Sequence, residues 1–135
     1  MELFEAYSHA LASLAGWAIL ILVGIMVAGR YQSKSETDTG LPKRDYASQG
    51  YRAHRHQQNM LEMGGAFIAA TLAAMLTGAS PFWVNLLASL FLVSRIAMMV
   101  VHVWTVNQPA RSACWTVGAV CVLGLGIFGV IGAFL

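Results

Sequence analysis

Apolar residues fill four long runs, 10–29, 60–77, 82–105 and 112–135, and the polar residues collect between them. Each run is close to the roughly 20 apolar residues that a helix needs to cross the hydrocarbon core of a bilayer. The pattern predicts helices over about 8–31, 47–78, 82–105 and 110–134, with a connection at 32–46. That connection lies within the polar stretch 33–49, which Gly40 and Pro42 interrupt and which is long for a helix–helix link; it reads as a surface loop. The links at Gly78-Ala79-Ser80-Pro81 and Asn107-Gln108-Pro109 are short and uncharged, and short links make neighbouring helices antiparallel. The expected fold is all-α, an integral membrane four-helix up-down bundle forming a single transmembrane domain over 1–135.

Composition strengthens this reading. The chain is 58% hydrophobic and only 10% charged, against about 25% charged residues in a typical soluble domain. The first run is expected to be a mature helix and not a signal peptide, because its leader carries Glu2 and Glu5 without Lys or Arg and its apolar stretch is too long. Arg30, Lys34, Lys43, Arg44, Arg52 and Arg55 cluster around the first connection, and Arg111 follows the third run. By the positive-inside rule both connections face the cytoplasm and both termini lie outside. The net charge of +2 therefore reports topology. Basic residues interleaved with Glu36, Asp38 and Asp45, without an aromatic repeat, give no nucleic-acid-binding face.

Small residues recur at four-residue spacing in Ala12/Gly16, Gly24/Ala28 and Gly65/Ala69/Ala73, which lets membrane helices approach closely within a bundle or an oligomer. The fourth run carries Gly118, Gly124, Gly126, Gly129 and Gly132 and must likewise hold by packing. Cys114 and Cys121 stand about 10 Å apart on one helix face, too far for a disulfide, and are expected to be core thiols.

The second helix opens with a polar stripe. Arg52, Arg55, Asn59 and Glu62 fall within an arc of roughly 80° at the helical period, and the stripe continues through Ala66, Ala69 and Ala73, so this face is expected to look into protein. On the third helix Arg95 lies about ten residues inside the cytoplasmic end, where an unpaired charge costs about 2.5 to 3.5 kcal/mol on insertion scales. Glu62, about 15 Å along the antiparallel neighbour from Arg52, is its expected ion-pair partner.

One carboxylate does not balance Arg52, Arg55, Arg95 and Arg111 at the same end, and an anionic ligand with carboxylates does so with matching fork geometry. His102, two turns after Arg95, points toward the same region; His54 and His56 are expected to be solvated, and His9 to sit at the outer interface. No metal site is assigned.

The pattern Arg52-x-x-Arg55-x-x-x-Asn59-x-x-Glu62, with Leu92-Val93-Ser94-Arg95-Ile96-Ala97 and Pro109-Ala110-Arg111-Ser112, resembles the membrane-associated proteins in eicosanoid and glutathione metabolism. The resemblance spans all four helices; its last two motifs are close to the prostaglandin E synthase branch in pattern and spacing, and the chain is read as a bacterial-type microsomal glutathione transferase. It implies a homotrimer in the inner membrane that uses glutathione as co-substrate, with a lipophilic small molecule as the second substrate. By position, it implies that Arg52, Arg55, Asn59 and Glu62 hold the tripeptide, that Arg95 and His102 line the pocket, and that Arg30 reaches a neighbouring subunit's glutathione. Arg111 matches the arginine that stabilises the thiolate, and Ser112 beside it is placed to donate a hydrogen bond to sulfur. His102 replaces a Tyr of several eicosanoid-pathway members, and Gln58 an Arg of the prostaglandin E synthase branch, so the expectation is a general transferase or peroxidase.

Two other classes remain. A proton-coupled small multidrug exporter would carry a mid-membrane acid in the first helix, and 10–29 has none. A haem-binding membrane anchor would use His54 or His56 with His102 as axial ligands and would have no need of the surplus arginines, and a purely structural subunit would leave Arg52, Arg55 and Arg111 replaceable without loss of ligand binding.

Overall fold

The computed structural model describes residues 2–31 and 39–135, so the part of the expected loop at 32–38 lies outside the described residues. A one-turn helix α1 (Glu2–Glu5) precedes four long helices, α2 (Ser8–Tyr31), α3 (Gln49–Leu76), α4 (Pro81–Trp104) and α5 (Gln108–Phe134). All four long helices are apolar and long enough to cross a membrane. Their outward faces expose Ile19, Leu22, Met26, Leu123 and Val130, side chains suited to lipid contact. The protein is an all-α membrane bundle.

Each helix begins or ends where local chemistry requires it. Ser48 accepts the amide of Tyr51 at the start of α3, and Asn107 accepts the amide of Ala110 at the start of α5. Pro81 occupies the first turn of α4, where a missing N–H costs nothing. Gly78 stops α3 in the left-handed region, with φ of 70°, and Ala79 N–H closes the turn on the Ala74 carbonyl at 3.0 Å.

Around the bundle the order is α2, α3, α5, α4, with α3 also touching α4 across the middle. The Phe67 and Phe91 rings stack with centroids 4.0 Å apart, and Trp17 packs on both at 5.9 and 5.2 Å. Such aromatic contacts contribute about 0.5–1.5 kcal/mol each beyond area burial. Gly129 lets α5 close on α3, since a Cβ there would lie 3.0 Å from Ala73 Cβ and 3.2 Å from the Ala74 nitrogen. At the end that carries the start of α2, Asn85 accepts the Ala10 amide and donates to the Ala6 carbonyl, while the Tyr7 hydroxyl donates to the Ala79 carbonyl.

The polar stripe of α3 departs from expectation. It turns out of the bundle as it descends: Arg52 is buried, Arg55 and Asn59 are half-buried, and Glu62, Gly65, Ala66, Ala69 and Ala73 are exposed. The arc is fully buried only at its first residue; farther along it follows the groove between α3 and α5, where Arg55 and Asn59 share a pocket with Arg111 and Ser112, Ala66 and Ala69 border Val122 and Gly126, and Ala73 meets Gly129, with the outer side left open. His56, expected to be solvated, is fully buried against α4, with its ring edge-on to His102 at 6.0 Å between centroids.

Candidate functional site

One end of the bundle is built from the first turns of α3, the last turns of α4 and the start of α5. Arg52 is saturated by backbone there. Its Nη1 donates to the Tyr46 and Ala47 carbonyls at 2.9 and 2.7 Å, and its Nε and Nη2 donate to the Val103 carbonyl at 3.4 and 3.2 Å. This residue pins the segment before α3 onto the end of α4.

One turn on, Arg55 faces a pocket of about 250 Å³ that it lines with Asn59, Met98, Arg111, Ser112, Trp115 and Thr116. Two guanidinium groups, an amide and two hydroxyls thus meet at one opening, and no carboxylate lines it. Arg55 Nη1 donates to Gln58 Oε1 at 2.9 Å and lies 3.9 Å from Glu62 Oε1. Both members of that ion pair are well exposed, so it contributes little, about 0–1 kcal/mol. Arg111 and Ser112 belong to the first turns of α5, which bring a cation and a hydroxyl to the same opening. The arrangement suits an anion presented at the membrane surface.

Arg95 corrects the expected ion pair with Glu62. Its Nη2 donates across to α5, to the carbonyls of Cys114 at 3.0 Å and Trp115 at 3.2 Å, while its guanidinium lies 5.4 Å from the centre of the Phe91 ring. The route is open because position 118 is glycine: a Cβ there would stand 2.7 Å from Arg95 Cζ. Helix carbonyls have a second lone pair to offer, so α5 satisfies Nη2, while Nε and Nη1 are buried with no hydrogen-bond partner among the described residues and Glu62 is left on the outer face of α3.

Arg55, Asn59, Arg111 and Ser112 therefore come together at one pocket. Arg95 and His102 are fully buried behind its wall, Arg52 is engaged beside it, Glu62 lies exposed farther along α3, and Arg30 is exposed at the end of α2. Met98, Trp115 and Thr116 went unread in the sequence, although each stands three or four residues from a polar site residue on its own helix, Arg95, Arg111 and Ser112 respectively. Tyr46 carries no such signal, since it comes from a segment without periodicity. Its ring lies under Arg111 at 5.2 Å and stacks on His102 at 6.2 Å.

A family model, described as the MAPEG family, matches residues 8–131. The chain belongs to the MAPEG family. No curated protein matches it. The match runs from the first residue of α2 almost to the end of α5, so the pocket lies wholly on elements that the family model covers. MAPEG proteins are membrane-associated and include glutathione transferases and peroxidases.

Proposed function

We propose that this MAPEG protein is a glutathione-dependent transferase or peroxidase that acts on lipophilic electrophiles at the cytoplasmic face of the membrane. The observation that carries the reading is the convergence of Arg55, Asn59, Arg111 and Ser112 on one carboxylate-free pocket. Glutathione brings two carboxylates and a thiol. Arg55 supplies a fork for a carboxylate and Asn59 a donor and acceptor for the peptide backbone. A free thiol has a pKa of about 8.5 and is mostly protonated at neutral pH; the Arg111 cation favours the thiolate, and Ser112 donates a hydrogen bond to it. In conjugation the thiolate attacks the electrophilic carbon, the S–C bond forms and the leaving group departs with its electron pair. In peroxide reduction two glutathione molecules supply the electrons and end as the disulfide.

The assembly belongs to the same proposal. A pocket of about 250 Å³ is small for a tripeptide, since ligand sites run about 300–1,000 Å³. Beside it lie the exposed Glu62 and the exposed small residues Gly65, Ala66, Ala69 and Ala73. A homotrimer that seats a neighbouring subunit on this face covers Glu62, enlarges the site and brings the neighbour's exposed Arg30 to the ligand. Glu62 then meets the glutathione amino group, and Arg52, Arg95 and His102 act from behind by fixing and charging the wall. The lysines and arginines at this end support, by the positive-inside rule, a cytoplasmic placement of the site with both termini outside, and a bacterial inner membrane is part of the same proposal.

Titration of the detergent-solubilised protein with glutathione tests this reading. Saturable binding with an ultraviolet thiolate band at pH 7 is the expected result. Absence of binding by folded protein overturns it.

A further inference from the structure

Tyr46 links the candidate thiol-activating group to the buried core. Its ring centre is 5.2 Å from the Arg111 guanidinium carbon on one side, and on the other it stacks at 29° against the His102 imidazole. His102 meets His56 edge-on in turn, and both imidazoles are fully buried between α3 and α4. Among the described residues no carboxylate pairs with Arg111, so the Tyr46 ring is the group against which its cation rests. The backbone of Tyr46 is equally fixed. Its carbonyl and that of Ala47 accept from Arg52 Nη1, and Arg52 is anchored in turn on the Val103 carbonyl of α4.

We propose that Tyr46 is a positioning residue that holds Arg111 in its working place through the face of its ring. The inference rests on the activating role proposed above for Arg111. A long arginine on the first turns of α5 has many rotamers, and the flat, electron-rich face of a phenol favours those that keep the cation over it. The stack on His102 stops the ring from rotating away, and Arg52 stops the chain beneath it from moving. The phenol oxygen is buried without a hydrogen-bond partner among the described residues, so the ring face and not the hydroxyl carries the role.

The test compares Tyr46→Phe, Tyr46→Leu, Arg111→Ala and the Tyr46→Leu/Arg111→Ala double variant as intact detergent-solubilised assemblies. The readouts are glutathione affinity and the pH–rate profile of conjugation to an aryl halide. Tyr46→Phe is expected to follow the unaltered protein. Tyr46→Leu, which keeps bulk but lacks a π face, should turn over about fivefold or more slowly at pH 7, with its rate profile displaced to higher pH and glutathione affinity little changed. The double variant should be no slower than Arg111→Ala, because Tyr46 then has nothing left to position. A Tyr46→Leu profile that coincides with the original while Arg111→Ala is slowed overturns the positioning role alone. Multiplying losses in the double variant, or an equal loss in Tyr46→Phe, overturn it as well. If Tyr46→Leu does not fold, Tyr46→Met supplies the comparison: it fills the space with a flexible, non-titrating side chain without a π face and is expected to show the same displaced profile, and an unaltered profile overturns the role. An Arg111→Ala protein with normal turnover at pH 7 instead removes the activating role beneath it.

Discussion

Arg95 reaches the backbone of α5 through the space above Gly118. The guanidinium occupies the volume a side chain would need there, with Cζ 2.7 Å from where a Cβ would stand, and Nη2 donates to the Cys114 and Trp115 carbonyls. Gly118→Ala should therefore evict a buried charge from its acceptors. The cost is expected to be roughly 3–5 kcal/mol, as for other broken buried charge arrangements. Thermal unfolding in detergent measures it. In an Arg95→Met background the same glycine change should cost about 1 kcal/mol or less, since the flexible thioether can yield. Equal costs in both backgrounds would mean that the two residues do not depend on each other.

That relationship also marks where the sequence stops being readable. The apolar runs set the four helices, because length and hydrophobicity alone satisfy a bilayer, and Ser48, Pro81 and Asn107 announce helix starts. The helical period places Arg55 and Asn59 on one face, and they line one pocket. Periodicity does not tell which neighbour a long side chain crosses to. Glu62 had the right sign and depth for Arg95, yet a missing Cβ on a different helix decided the direction. His56 is one residue from the polar stripe, and a rotation of about 100° takes it from solvent to the α4 interface. Tyr46 arrives from an irregular segment, so no pattern places it over Arg111.

Arg52 and Arg55 stand one turn apart and should behave oppositely on substitution. Arg52 holds three carbonyls and is buried, so Arg52→Ala leaves buried acceptors unpaired and should destabilise the protein by about 1–3 kcal/mol, seen as faster proteolysis of the 39–48 segment. Arg55 is open to the pocket and has only Gln58 and a long contact to Glu62. Arg55→Ala should leave unfolding nearly unchanged and weaken glutathione binding about tenfold or more, measured by calorimetric titration. If Arg55→Ala unfolds the protein while Arg52→Ala does not, the division of labour is reversed.

Arg111 should reveal itself in the pH dependence of the rate. A cation near sulfur lowers the thiol pKa of bound glutathione, so the thiolate fraction is already high at pH 7 and falls as the pH drops through the lowered value. Removing the cation moves that value up toward about 8.5. Arg111→Ala should thus lose most rate at pH 7 and recover part of it as the pH is raised, while keeping most of its glutathione affinity. A loss that is equal at all pH values would point to a placement role for Arg111 with no effect on ionisation.

The exposed side of α3 provides the test of assembly. Glu62 has a side chain 63% exposed within a span-length helix, and the exposed Ala66, Ala69 and Ala73 follow it along the open groove between α3 and α5. Lipid solvates a carboxylate poorly, whereas a second helix closing on alanines can bring hydrogen bonds to it. Ala69→Phe places a bulky ring in the centre of that groove, at an exposed position outside the buried core, so the subunit should still fold. Its mass by light scattering in detergent, corrected for bound detergent, should fall from trimer to monomer, and glutathione binding should fall with it because the site loses its second wall. Val93→Phe makes the same change on the outer side of α4, which is also exposed, and should leave both mass and binding as they were. If Ala69→Phe keeps the trimer and its affinity, the neighbour does not sit on this face, and the pocket of Arg55 and Arg111 must bind its ligand within one subunit.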